Sequence, residues 1–453
     1  MNDRTWLFVN ARLADPAAGT LAFEDVLVVD GRVVARGPAA TTHASAAGAR
    51  TLDAQGAVLA PGLVDAHVHL REPGQEDKET IATGTAAAVA GGFTSVACMP
   101  NTVPALDEPG RLRWVVERAA QVGLARVHPI AAITPGLAGE RLTDMATLVE
   151  AGAIAFSDDG RPVMHGGLMR HALEYARDLG VPIITHAEDL TLRGDGAMNE
   201  GAVASRLGLP GIPNACEVTA VARDLELAAL TGGRLHVAHV STAGAVDALR
   251  RARAQGAAAT GETAPHYVAL TDLACDGYET NAKMNPPLRS AADCAAVIAG
   301  LADGALTILA TDHAPHTPQE KEREFAAAPF GIVGLETALG VTLTHLVHAG
   351  RMPLLAVLAA WTVAPRALLG LPDPLVAGAE ADLVLLDPEC AWTVDRDRFR
   401  SKGRNTPFHG HALTGRALGT WVAGRRVFEL AVHAGAATTA APVAAKPTSG
   451  GAR

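Results

Sequence analysis

Eight short apolar runs recur along residues 61–370, each followed by polar residues and most separated by longer Ala- and Leu-rich stretches. They are GLVDAHVHL, TSVACMP, VHPIAAI, AIAFSDDG, PIITHAED, RLHVAHVS, AAATGETAPHY and LTILATDHAPH. Short apolar runs of this kind read as strands, and GRLRWVVERAAQVG, GLMRHALEYARDLG and EVTAVARDLELAALTGG between them carry a helical pattern. This many strand–helix units predict an α/β fold, a (β/α)8 barrel of TIM type. Reactive side chains of such a barrel collect at the C-terminal ends of its strands. Here those ends hold His, Asp, Glu or Asn.

The two ends of the chain read differently. The first ~55 residues alternate as strands do, and Asp30-Gly31 between Val28-Val29 and Val33-Val34 is a hairpin signal. ADLVLLDP (381–388) and HALTGRALGTWVAGRRVFE (411–429), with Gly424 in a turn, repeat that character. The expectation is a small β-sandwich domain made from residues 1–60 and 371–430 and flanking a barrel of residues 61–370. The Ala/Thr/Pro/Gly-rich stretch 431–453 is expected to be a disordered tail.

Composition excludes several classes. With 49% hydrophobic and 19% charged residues among 453, the chain can build a large core and is not mainly disordered. A net charge of −10 argues against nucleic acid or an anionic membrane as partner. Five scattered cysteines without a CxxC pair fit neither a disulfide framework nor a thiolate zinc site. No apolar stretch reaches the ~20 residues of a membrane span, and no signal peptide is evident, so a cytoplasmic location is expected.

Strand alternation in Asp65-Ala66-His67-Val68-His69-Leu70-Arg71 sends His67 and His69 to one face, where two imidazoles can share a metal ion. His186, His239, Asp312 and the pair Asp158-Asp159 likewise follow apolar runs. Imidazoles and carboxylates are ligands for a borderline divalent ion such as zinc. Six are more than one tetrahedral site uses, which implies two ions and a shared carboxylate. Arg71 shares the ligand face if the strand persists, and His313 should point away from Asp312. The run Gln75–Glu79 reads as a solvated loop and helix start.

HVHLREPG, CMPNT, FSDDG, THAED, AHVST, MNPPLR, TDHAPH and ADLVLLDP, in this order, resemble the dihydroorotase family of the amidohydrolase superfamily. The resemblance runs from the first strands to about residue 429 and is to the longer bacterial subgroup, in which an Asp replaces a carboxylated lysine. It implies reversible cyclisation of N-carbamoyl-L-aspartate to L-dihydroorotate in pyrimidine biosynthesis, with two zinc ions per chain. By motif, His67 and His69 would bind one zinc and His186 and His239 the other. Asp159, rather than Asp158, would bridge them, and Asp312 would contact metal and shuttle a proton. Arg71, Asn101, Asn285 and His316, with the Phe330-Gly331 backbone, would bind substrate. His266, followed by Tyr267 where the family often has a second histidine, is given no catalytic role. Expected partners are the small-molecule substrate, further copies of the chain and aspartate transcarbamoylase. Two other readings stand beside this one: a hydantoinase- or allantoinase-like cyclic amidase, and a non-catalytic subunit of a transcarbamoylase complex.

Overall fold

A computed structural model describes residues 3–431. The tail expected over 431–453 lies, from residue 432 on, outside the described residues.

Seven strands form first: β1 (Trp6–Val9), β2 (Arg12–Asp15), β3 (Thr20–Phe23), β4 (Val26–Val29), β5 (Arg32–Arg36), β6 (Arg50–Asp53) and β7 (Val58–Pro61). Three return from the far end: β18 (Leu383–Thr393), β19 (Ala412–Val422) and β20 (Arg425–Glu429). They make a four-stranded sheet, β5-β4-β1-β6, and a six-stranded sheet, β20-β19-β18-β7-β2-β3. Trp6, Phe8, Leu13, Val26, Leu59, Leu383 and Trp421 bury one core in this sandwich, drawn from both chain ends. The Asp30-Gly31 hairpin forms as expected: β4 and β5 pair across two residues with φ of 50° and 83°. Only glycine suits the second position, where a Cβ would lie 2.3 Å from the Ala423 carbonyl oxygen. One element departs from the strand reading. Pro38–Ala47 is a helix, formed by an Ala-rich segment with high helix propensity and no alternation.

The barrel strands are β8 (Leu63–Val68), β9 (Phe93–Cys98), β10 (Arg126–Ala131), β11 (Ala155–Phe156), β12 (Ile183–Thr185), β15 (Leu235–Val237), β16 (Ala259–Thr263) and β17 (Ile308–Leu309). Six fall within one of the eight apolar runs, and β9 and β10 each begin one residue before theirs. They pair in parallel in chain order from β8 to β17. Closure runs through His313, which bridges to Val68 on one side and Ile332 on the other. A minor parallel pair, β13 (Met198–Asn199) and β14 (Gly211–Ile212), lies within the β12–β15 connection.

Alternation splits the strands between two clusters. Val64, Ala97, Ile184, Ala238 and Ile308 pack with Leu368 and Leu369. Their neighbours Leu63, Val96, Ile183, Val237 and Leu309 join the larger cluster with the surrounding helices. Pairing of β8 with β9 shifts register between Asp65 and Val68, at the point where the two histidines begin.

Trp421 meets Trp6 and Phe8 edge-on at centroid distances of 5.9 and 5.0 Å, joining the two chain ends. Trp421→Ala should therefore destabilise the protein by about 3–5 kcal/mol, measured by denaturant unfolding followed by circular dichroism.

Candidate metal centre and substrate pocket

Six side chains converge where the barrel strands end. His67 is the penultimate residue of β8 and His69 follows the strand, with ring centroids 5.4 Å apart. Asp159 follows β11, His186 β12, His239 β15 and Asp312 β17. All six are buried.

Asp159 lies among the imidazoles. Its Oδ1 is 3.5 Å from His67 Nε2, 3.4 Å from His186 Nδ1 and 3.6 Å from His239 Nε2. Its Oδ2 is 3.6 Å from His69 Nε2. Asp312 Oδ1 stands 3.1 Å from His69 Nε2 and 3.5 Å from His67 Nε2. His186 Nδ1 and His239 Nε2 face each other at 2.8 Å.

These groups fit metal ions. His67 Nε2, Asp159 Oδ1 and His239 Nδ1 are buried without a hydrogen-bond partner, a costly condition for a polar atom. Two ligands on bonds of ~2.05 Å at the tetrahedral angle stand about 3.3 Å apart, which is close to the separations around Asp159. His67–Asp159–His239 and His67–His69–Asp312 each bring their ligand atoms within 4.8 Å of one another. Burial works against charge throughout the cluster. Even so, His67 and its neighbours hold Asp159 well below the usual carboxylate range, and His67 and His69 do the same for Asp312. Burial lowers His186, but Asp159 and Glu188 outweigh it and raise the ring to about 10. The cluster thus demands positive charge, as protons or as metal.

A second layer orients the rings. His67 Nδ1 pairs with Glu262 Oε1 at 2.8 Å, and Glu262 also accepts from His236 Nε2 at 3.0 Å. Burial opposes charge on Glu262, yet those two histidines bring it down to about 2. The His67 tautomer fixed this way leaves Nε2 as the ligand atom. His69 Nδ1 pairs with Asn101 Oδ1 at 2.9 Å, and His186 Nε2 with Glu188 Oε2 at 3.2 Å. Sequence reading did not single out Glu262 or Glu188, although both lie in recognised strand segments. His266, given no role, is buried within reach of the charges of Asp312, His239 and His67, and its Nε2 has no partner.

Asp158 turns away from the cluster. It accepts from the Ile133 and Thr134 amides at 2.8 and 3.1 Å and from the Thr134 hydroxyl. His313 also turns away, to Glu79 at 3.2 Å. The solvated reading of Gln75–Glu79 needs correction at its last residue. Glu79 is fully buried and accepts from the Ser401 hydroxyl and the Lys402 amide.

The expected substrate residues form two groups. Asn101 touches the metal-type residues themselves: its Nδ2 donates to Asp159 Oδ2 at 3.3 Å. Asn285 Nδ2 lies 3.3 Å from His186 Nε2. The other group is Arg71, His316 and Phe330-Gly331. β8 stops at Val68, so Arg71 does not extend the ligand face as a strand residue; its φ is +61°. Arg71 Nε donates to the Pro315 carbonyl at 3.2 Å, and its terminal nitrogens have no partner among the described residues. His316 Nε2 donates to the Phe330 carbonyl at 2.8 Å. Burial, then Arg71, Lys78 and Lys321, push His316 down to about 3, so its ring is neutral.

A (β/α)8 barrel with His/Asp clusters at its strand ends and a flanking sandwich from both termini has the amidohydrolase fold. Comparison with known proteins narrows the class. Residues 56–245 match the dihydro-orotase-like family model. A dihydroorotase of Syntrophotalea carbinolica is 52% identical over 425 residues, covering 94% of this chain and 99% of that one. One from Anaeromyxobacter dehalogenans strain 2CP-C is 53% identical over 427 residues, covering 93% and 98%. The chain belongs to the dihydroorotase family. Among solved structures, an L-hydantoinase (dihydropyrimidinase) from Arthrobacter aurescens superposes with a TM-score of 0.83 at 28% identity, over 93% of this chain and 96% of that one.

Since Glu262 fixes His67, Glu262→Ala should weaken metal binding about 10–100-fold, read by titrating the metal-free protein with buffered zinc.

Proposed function

We propose that the chain is a dihydroorotase holding two zinc ions and interconverting N-carbamoyl-L-aspartate and L-dihydroorotate. The observation that carries this reading is Asp159, a buried carboxylate set among four imidazoles, beside Asp312 and the Arg71 guanidinium, whose terminal nitrogens have no partner among the described residues. Identity above 50% over nearly the whole chain to dihydroorotases supports it against the hydantoinase reading, which has fold likeness at 28% identity. The intact ligand-type set speaks against a purely structural subunit.

In this reading His67 and His69 hold one ion, His186 and His239 the other, and Asp159 stands between them. Bound there, the ions supply Lewis acidity at the carbonyl and lower the pKa of water. The protein's own residues do the rest. In hydrolysis Asp312 takes the proton of the attacking water and delivers it to the ring nitrogen as the amide bond breaks. In cyclisation it takes a proton from the attacking carbamoyl nitrogen and returns it to the departing oxygen, which leaves as water once the reacting carboxylate has also taken up one proton from solvent. Arg71 grips the substrate carboxylate with the parallel donors of its guanidinium. His316, neutral and tied to the Phe330 carbonyl, and Asn285 complete the pocket. As partners beyond the substrate, the reading keeps self-association and aspartate transcarbamoylase, both tested by mass measurement with and without the transcarbamoylase.

Purified protein should contain about two zinc per chain and form dihydroorotate from carbamoyl-aspartate; metal-free protein with no turnover under zinc supplementation would refute the reading. Hydantoin and allantoin, assayed alongside, should turn over far more slowly. Asp312→Ala should lower kcat by about 10²–10⁴-fold with the fold retained. Arg71→Ala should cost about 2–3 kcal/mol in kcat/KM. Steady-state kinetics and circular dichroism check both variants.

A further inference from the structure

Two lysines outside the metal centre are used in an unusual way. Lys283 is 2% exposed and Lys321 4%. Lys283 Nζ donates to the carbonyls of Phe325, Ala326 and Ala328 at 2.6, 3.0 and 2.7 Å. Lys321 Nζ donates to those of Lys283, Pro329 and Gly331 at 3.4, 2.9 and 3.1 Å. An ammonium has three protons, and here all six go to backbone, five of them to segment 325–331. The Lys283 carbonyl also accepts from the Gly331 amide at 2.9 Å. The Phe330 ring lies 4.5 Å from Lys283 Nζ, and the Phe330 carbonyl accepts from His316.

Neither ammonium forms an ion pair among the described residues. Glu320, next to Lys321, pairs instead with Lys78 at 2.9 Å. Burying two like charges with no anion in contact is expensive. Burial lowers Lys283 to about 8 and Lys321, helped by the nearby Lys283, to about 7. Anchoring the segment does not require charge, since the neutral Asn405 amide already ties Gly331 and Ala314 at 3.0 and 2.9 Å. What the lysines add, in their protonated forms, is positive charge behind the Phe330-Gly331 backbone.

We propose that Lys283 and Lys321 are positioning residues for substrate binding: together they set the Phe330-Gly331 backbone and His316 at the wall where the substrate carboxylate docks. The proposal rests on the dihydroorotase reading, and it predicts a loss in binding rather than in chemistry. The test uses the full zinc-loaded chain with dihydroorotate as substrate. Lys321→Met and Lys283→Met should each raise KM about tenfold or more and leave kcat within about threefold. Zinc content should stay at the parent value. Lys321→Arg, which keeps the charge, should lie closer to the parent in KM than Lys321→Gln. An unchanged KM in a folded, zinc-loaded variant would overturn the proposal, as would a fall in kcat alone or a reversed order of Arg and Gln. Insolubility of every variant would assign the pair to folding and overturn it too. An inactive parent would refute the underlying reading instead, so the two failures are distinguishable.

Discussion

Asp159 is the point on which the site turns. It is a carboxylate 4% exposed, with one oxygen lacking any hydrogen-bond donor. An isolated buried charge of this kind costs several kcal/mol, so the surroundings must supply compensation. Four imidazoles do so only if they carry protons or share cations, and the short His186–His239 contact poses the same demand from the nitrogen side. The neighbouring residue makes the arrangement possible. Asp158 takes the two backbone donors and the hydroxyl available at that strand end, leaving Asp159 turned to the cluster without them. Glu262, Asn101 and Glu188 then each hold one ring in place. Such a cluster needs rigid strand ends to keep it open against collapse into ordinary hydrogen bonds, and the parallel barrel provides them.

Much of this was legible in the sequence because the signals are local. Each barrel strand is a short apolar run with its polar residues at one end, so its place and the direction of its chemistry could be read together. The Asp30-Gly31 turn announces its hairpin, because both positions need positive φ. The illegible parts are those set by distant partners or weak patterning. Glu79 looks like one more acid in a charged run, and is buried because His313 and Ser401 reach it from 234 and 322 residues away. Glu262 meets His67 across 195 residues. Helix Pro38–Ala47 lacks a marked apolar stripe, and only Ala propensity announced it. Arg71 was placed by extending β8 too far; it reaches the pocket after the strand has ended, from a left-handed backbone.

Fold alone does not select the reaction, since a hydantoinase shares nearly the whole architecture. Selection falls to the loops beyond the strand ends, and the charges there oppose the charge of the molecule. The chain carries −10 overall, so its mean field repels an anion. At physiological ionic strength the Debye length is about 8 Å, which screens exposed surface charges from a buried pocket more than it screens charges inside that pocket. Arg71, Lys283 and Lys321 are buried, and the attraction of their charges survives the screening that mutes the surface. That division explains why a neutral histidine suffices at His316. With Arg71, Lys78 and Lys321 already nearby, a further proton there would face repulsion from all three, and the single N–H of the neutral ring is spent on holding the Phe330 carbonyl in the wall.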